Sequence, residues 1–307
     1  MALLSSPSYL MVMMKDKVCV VTGANTGIGF EIALGLAKQE AHVVLVCRDI
    51  HKGNDAKDKI EEVCPDASVY LVLGDLSSND KTRALADKII QEYKKVHVLV
   101  HNAGIWPSTL KVNEEELEEA FCVNHLSPFY LTHLLMDNLK AGAPSRVLFM
   151  NDALFAKATP LDLAKTPYGI NFSQYSTYRQ TKLCSTLCLR KWDELFSGSQ
   201  VSINMVHPGN VNTQLGNSND WLGWVVRQLK KRWKTPEQGA EAPLWLAISE
   251  QLANTSGVYF NEKTKMELPE IAMNEGMQNE IWALSLRLCK LHAEQQAAVP
   301  EGKLLDL

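Results

Sequence analysis

Short apolar runs of strand length alternate along this chain with longer stretches whose apolar residues recur at helical spacing. The runs at 17–22, 42–47, 69–74, 97–101, 145–150, 201–206 and 257–260 predict strands, and the stretches at 28–39, 51–62, 79–94, 114–139, 173–197, 236–250 and 273–292 predict helices. His42-Val-Val-Leu-Val-Cys47 is apolar at successive positions rather than alternate ones. Such a strand is buried on both faces, as in a parallel sheet covered by helices. Regular strand–helix alternation therefore predicts an α/β fold: a doubly wound parallel sheet with helices on both faces. Right-handed crossovers then place a ligand at the carboxyl ends of the strands. No repeat, low-complexity tract or long linker interrupts the pattern, so 17–307 reads as one domain after an N-terminal arm, 1–16.

Composition narrows the function classes. With 46% hydrophobic and 21% charged residues over 307 positions, the chain has the balance of a soluble globular protein. A net charge of −4 gives no basis for nucleic-acid binding. No apolar run reaches the ~18 residues of a membrane span. The start, Met1-Ala-Leu-Leu-Ser-Ser-Pro-Ser-Tyr-Leu-Met-Val-Met-Met14, is apolar but lacks a basic region, and reads as an arm rather than a signal peptide. Seven scattered cysteines with no paired spacing read as reduced thiols of a cytoplasmic protein, and no metal site is expected.

Two segments carry chemistry. Tyr178-Arg-Gln-Thr-Lys182 sets a phenol and an ammonium four residues apart, on one face of a helix. A phenol with its ordinary pKa of about 10 is a poor acid–base group at neutral pH, and a neighbouring ammonium lowers it. Far upstream, Thr22-Gly-Ala-Asn-Thr-Gly-Ile-Gly29 lies between an apolar strand and a helix. Gly23, Gly27 and Gly29 permit tight turning and close backbone approach, and the free N–H groups of the helix face an anion, which makes a phosphate cradle with Asn25, Thr26 and Ile28. Three residues separate the first two glycines, unlike the G-x-G-x-x-G pattern.

Together with Asn102-Ala-Gly104, Asn124 and Pro208-Gly209, these motifs occur in the order of the short-chain dehydrogenase/reductase family, which the chain resembles from about Lys17 to Leu291. Cys47-Arg48-Asp49, Val123-Asn-His-Leu126 and His207-Pro-Gly209 look like the retinol-dehydrogenase branch. Val206-His-Pro-Gly-Asn210 and Ile281-Trp-Ala-Leu-Ser285 add a likeness to the catalytic domain of the WW-domain-containing oxidoreductase, whose paired WW domains have no expected counterpart here. The resemblance implies a Rossmann-type fold and a nicotinamide cofactor.

The remaining site residues follow from position and from that resemblance. Arg48 ends the second strand where an acid would bind the adenosine ribose of NAD; a guanidinium there clamps a 2′-phosphate, so NADP is expected over NAD, the alternative being a solvated loop charge beside Asp49. In the resembling family Asp75, followed by Leu76, bonds the adenine amino group; Asp75 also suits a helix N-cap. Asn102, Ala103 and Gly104 would lie under the nicotinamide ribose, with His101 as a packed imidazole. Asn124 would distort its helix and hold a water in a proton relay, with a kink at Pro128. Pro208, Gly209, Val211 and Thr213 would seat the nicotinamide. One departure stands out: Asn151 and Asp152 occupy the place of the family's paired serines, the second of which bonds the substrate carbonyl. An ionised Asp152 would raise the Tyr178 pKa and oppose carbonyl reduction, whereas a protonated Asp152 or the Asn151 amide would donate instead.

The basic, tryptophan-rich segment 221–234 has three readings: a lid over a lipophilic substrate, a peripheral membrane contact, or a packed helix. The expected function is an NADP(H)-dependent oxidoreductase in which Tyr178 supplies the proton, Lys182 tunes it and binds the nicotinamide ribose, and the substrate is a retinoid, steroid or lipid aldehyde. The alternative is a cofactor-binding pseudoenzyme acting as an interaction or regulatory module. A homodimer is expected by analogy with the family.

Overall fold

The computed structural model describes residues 14–212 and 233–291. Strands β1 (Val18–Thr22), β2 (His42–Cys47), β3 (Ser68–Leu73) and β4 (Val98–His101) are joined by helices α1 (Gly27–Ala37), α2 (Ile50–Val63) and α3 (Asn79–Glu92). After β4 come α4 (Glu119–Phe121), a π-helical turn at Cys122–Leu126, α5 (Ser127–Leu134) and α6 (Met136–Ala141). Then follow β5 (Ser145–Met150), α7 (Gln174–Leu187), α8 (Leu189–Leu195), β6 (Val201–His207), α9 (Pro236–Ile248), β7 (Val258–Asn261), β8 (Thr264–Met266) and α10 (Glu275–Leu288).

The strands form one sheet in the order β3-β2-β1-β4-β5-β6-β7-β8. Each pair from β3 to β7 is parallel, and β8 alone returns antiparallel, beside β7. The chain leaves β1 towards β2 and β3, then crosses back to β4 on the other side of β1. That reversal opens a crevice at the carboxyl ends of β1 and β4, where doubly wound sheets bind their ligands.

Successive residues of each strand face opposite apolar layers, which explains the unbroken apolar runs. Val20, Val44, Leu99, Val147 and Ile203 pack with Leu85 and Ile89 of α3, Phe129 of α5, Leu183 and Leu187 of α7 and Trp192 of α8. Their neighbours Val21, Val43, Val100, Leu148 and Val206 face Ile32 and Leu36 of α1, Ile60 of α2 and Leu246 of α9. Met14 is buried in this second layer, while residues 1–13 of the N-terminal arm lie outside the described residues.

Two expected helices are subdivided. The stretch 114–139 begins as a loop and turns helical only at Glu119, then widens into the π turn. Pro128 sits just past that turn and has no N–H to give back to the Asn124 carbonyl. That carbonyl instead accepts from Ser185 Oγ on α7 at 3.0 Å. The stretch 173–197 breaks at Cys188 into α7 and α8. Strand β8, with three exposed residues, was not predicted. Among the described residues no helix is long and apolar enough to cross a membrane.

Candidate active site

The cradle is built where β1 runs into α1. Gly23 and Gly27 have φ of +66° and +61°, a left-handed conformation that favours glycine. A Cβ on Gly29 would lie 2.3 Å from Asn102 Nδ2 and 2.4 Å from the Gly23 carbonyl oxygen. The turn is thus pressed against the end of β4. Asn102 Nδ2 donates to the carbonyls of Thr22 and Gly23 at 3.0 and 3.2 Å. In return Thr22 Oγ1 accepts from the N–H groups of Asn102 and Ala103. Thr26 caps α1 in extended conformation without a side-chain hydrogen bond, so its side chain does not cover the helix's leading N–H groups. Asn25 is half-buried in the same turn. Ile28, Val211 and Gly239 of α9 meet one another, which joins the cradle to the loop after β6. In that loop Pro208 is buried and Gly209 has φ +85°; Thr213 lies outside the described residues. Gly29→Ala is expected to abolish dinucleotide binding, because the methyl collides with backbone as well as with Asn102; calorimetry with NADPH and with NADH checks this.

At the end of β2, Arg48 is exposed and its side chain has no partner among the described residues. Asp49 is occupied: its Oδ1 accepts from the N–H groups of His51 and Lys52 as the N-cap of α2. Asp75 holds its own turn, accepting from Ser77 N–H and Oγ, and pairs with Lys81 at 3.4 Å. The N-cap of α3 is Ser78, so the capping role considered for Asp75 falls to a residue three positions later. Leu76 is buried beside it. His101 bonds Thr132 Oγ1 at 2.8 Å and stacks on Phe149, and burial pushes its pKa down to about 3, so it is a packed neutral imidazole as read.

The second cluster lies beside the cradle. Tyr178 on α7 is 2% exposed, and its hydroxyl donates to Asp152 Oδ2 at 3.2 Å. Asp152 Oδ1 accepts from Leu154 N–H as the cap of a short 3-10 turn, Ala153–Lys157. Asn151 points the other way, into the core, with Nδ2 on Thr186 Oγ1 and Met205 Sδ, both at 2.7 Å. The two residues at the serine positions therefore separate: Asp152 meets the phenol and Asn151 does not.

Lys182 Nζ donates to the Met150 carbonyl at 3.1 Å and lies 5.9 Å from the Tyr178 ring centroid. A Cβ on Gly104 would lie 3.3 Å from Asn124 Oδ1 and 3.9 Å from Lys182 Nζ, so these groups share one corner. Asn124 spends its side chain on structure: Oδ1 accepts from Ile105 N–H, and Nδ2 donates to the Ile105 carbonyl and to Thr181 Oγ1. The electrostatics follow the reading for an ionised Asp152 rather than the one for the neighbouring ammonium alone. Burial, then the Asp152 charge, then the hydrogen bond to Asp152 push the Tyr178 phenol well above its ordinary value. Burial lowers Lys182 to about 8, with Asp152 opposing that shift. In this arrangement the phenol is raised, not lowered, because burial and then the carboxylate at its oxygen both act against the phenolate.

Sequence reasoning missed Trp106. Its indole lies flat on the Tyr178 ring, centroids 4.3 Å apart at 10°, held by a bond from Nε1 to the Gln174 carbonyl. The available signal was an aromatic residue two positions past Gly104, at the carboxyl end of a central strand. Segment 221–234, apart from Trp233 and Lys234, lies outside the described residues.

With this geometry in place, comparison with known proteins decides the family. The family model described as short chain dehydrogenase matches residues 17–157. Human retinol dehydrogenase 13 is 36% identical over 288 residues, covering 90% of this chain and 86% of the relative. The chain belongs to the short-chain dehydrogenase family. The chicken WW domain-containing oxidoreductase is 32% identical over 285 residues, covering 90% of this chain and 69% of that protein. A short chain dehydrogenase structure from Escherichia coli CFT073, complexed with NADPH, superposes with a TM-score of 0.65 at 20% identity, covering 82% of this chain and 98% of that one. Family membership carries the reaction class: a short-chain dehydrogenase is an oxidoreductase that interconverts alcohols and carbonyls.

Proposed function

We propose that this chain is an NADP(H)-dependent oxidoreductase acting on a lipophilic alcohol–carbonyl pair. The observation that carries this reading is the meeting of Tyr178, Lys182 and Asp152 beside a glycine turn packed tightly against the end of β4. The cradle fits a dinucleotide: the Cβ positions of Gly23 and Gly29 are blocked by backbone, and the N-terminus of α1 carries no side-chain cap. When bound, the nicotinamide supplies or accepts hydride. Gly23, Gly27, Gly29 and the N–H groups of α1 would hold the pyrophosphate, Asp75 and Leu76 would serve the adenine, and Asn102 to Gly104 with Pro208 to Val211 would serve the nicotinamide end. Tyr178 Oη holds the proton exchanged with substrate oxygen, and Lys182 Nζ lies beside Gly104 at the ribose position.

Preference for NADP rests on Arg48, which is exposed and has no side-chain partner among the described residues, while the neighbouring carboxylate of Asp49 is engaged in capping. A solved relative of the same fold is described as complexed with NADPH. Arg48→Ala is expected to weaken NADPH about 10- to 100-fold, the worth of a charge-assisted bond, and to leave NADH within about 2-fold. Calorimetric titration of both cofactors measures this, and equal losses for the two would remove Arg48 from the 2′-phosphate site.

The lipophilic substrate class is supported by the apolar wall around the phenol. Trp106 covers its ring and Tyr175 meets Trp106 edge-on. Relatives named retinol dehydrogenases point the same way. Tyr178, Lys182 and Asn124 converge on one corner, which supports the catalytic reading. Turnover of a panel of long-chain alcohols and carbonyls with NADP+ and NADPH tests the proposal, and NADPH binding with no turnover across the panel would overturn it.

A further inference from the structure

We propose that Asp152 and Tyr178 form a subsite that takes a hydroxyl group rather than a carbonyl, so that this protein selects the alcohol member of its substrate pair. The inference rests on the oxidoreductase reading above and concerns which oxidation level the site holds more tightly.

The carboxyl of Asp152 is used purely as an acceptor. Oδ1 takes the Leu154 N–H at 2.9 Å and Oδ2 takes the Tyr178 hydroxyl at 3.2 Å. Two donors on one carboxyl is the bonding pattern of the anion. The phenol has a single proton, and this contact commits it to Asp152. What Tyr178 Oη then offers to a substrate is lone pairs.

Other donors near that oxygen are engaged elsewhere. The Asp152 backbone N–H bonds Asn151 Oδ1 at 2.9 Å, and the Asn151 amide is held in the core. Lys182 Nζ donates a hydrogen bond to the Met150 carbonyl and, among the described residues, makes none to Tyr178 Oη or to Asp152. The groups facing Asp152 from the neighbouring strands add no firm positive charge. Burial lowers the pKa of His207 on β6, and burial and Asp152 push Tyr259 on β7 up to about 12. An incoming hydroxyl can donate into the lone pairs of Oη or Oδ2. A carbonyl oxygen, having only lone pairs, must first draw the Tyr178 proton away from Asp152. That leaves the half-buried Oδ2 without its protein donor, which costs free energy. Trp106, stacked on the phenol ring, limits how far the ring can move to escape this choice.

The test is a binding measurement in complexes that cannot react. 2-Decanol is titrated into the NADPH-saturated protein and 2-decanone into the NADP+-saturated protein, for the wild type, Asp152→Ser and Asp152→Asn. Both replacements keep an oxygen that can cap Leu154 N–H, and both can donate to a carbonyl. The ratio of alcohol to ketone affinity is expected to exceed one in the wild type and to fall about 10-fold or more in each variant, the scale of one hydrogen bond of the right polarity. Unfolding temperatures and NADPH affinities close to those of the wild type would show that both variants are folded. A ratio unchanged within about 2-fold, or a wild type that prefers the ketone, overturns the subsite. If NADPH binds but neither decyl ligand does in any of the three proteins, the lipophilic alcohol–carbonyl reading itself falls and takes the subsite with it.

Discussion

Tyr178→Phe is expected to cut turnover by about 10²- to 10⁴-fold, the range for a positioned acid–base group, while leaving NADPH affinity within about 3-fold. The separation of these effects follows from what the substitution removes. The ring is buried and stacked on Trp106, and phenylalanine fills the same slot with the same faces. Only Oη disappears, and with it the donor to Asp152 Oδ2. The cradle contacts at Gly23, Gly29 and Asn102 do not involve this side chain. Steady-state rates with NADP+ and a long-chain alcohol, beside a fluorescence titration of NADPH, measure both effects. Turnover within about 10-fold of the wild type would mean that the proton moves through some other group.

Lys182→Met is expected to give a protein that is inactive and yet more stable. Burial lowers the lysine from 10.5 to about 8. A shift of that size corresponds to ~3 kcal/mol against the charged form in the folded state. The sign follows from proton counting. Between about 8 and 10.5 the unfolded chain keeps the proton and the folded chain sheds it, so wild-type stability rises with pH across that window. Below about 8 both states are charged and the penalty is fully present. Methionine has no charge to desolvate, so the variant should gain about 1–3 kcal/mol at pH 6–7, less whatever the bond to the Met150 carbonyl contributes, and the advantage should shrink towards pH 10. Urea unfolding of the cofactor-free proteins at pH 6.5 and pH 9.5 gives the comparison. A variant less stable than the wild type at both values would place the lysine in a stabilising role. Turnover should fall at least ~100-fold, since the group beside Gly104 at the ribose position is gone.

How far the sequence carries can be argued from individual elements. Strands such as Val43–Val46 were legible because residues facing opposite layers are all apolar, and only a covered parallel sheet asks for that. Strand β8 was not, since three exposed residues at a sheet edge leave no hydrophobic pattern. The helix read across 114–139 kept its apolar periodicity through the π turn, so the break showed only as Pro128 and as the distortion expected at Asn124. In the site, glycines with blocked Cβ positions announced themselves through spacing alone. The second serine position sets Asp152 against the phenol, as the structure has it, whereas the turn of Asn151 into the core depends on which way one side chain points along an extended chain. Trp106 lies 72 residues from Tyr178 in the chain, and no local pattern reports a contact made across the sheet. The upward Tyr178 shift comes first from burial, which no local pattern reports, and then from the Asp152 charge, which the sequence reading already sets beside the phenol.

The interlock between Thr22 and Asn102 has a thermodynamic consequence. One hydroxyl serves three main-chain groups where β4 leaves the sheet, accepting from the N–H groups of Asn102 and Ala103 and donating to the Val100 carbonyl, and one amide answers with two carbonyls of the glycine turn. Every one of these bonds is internal to the protein. The floor of the crevice is therefore kept rigid by the folding free energy, and a ligand that settles there does not have to spend its own interactions on immobilising the loop. Affinity at such a floor is governed by how well the ligand's shape matches a fixed surface, and loosening either side chain would appear first as an entropic loss in binding.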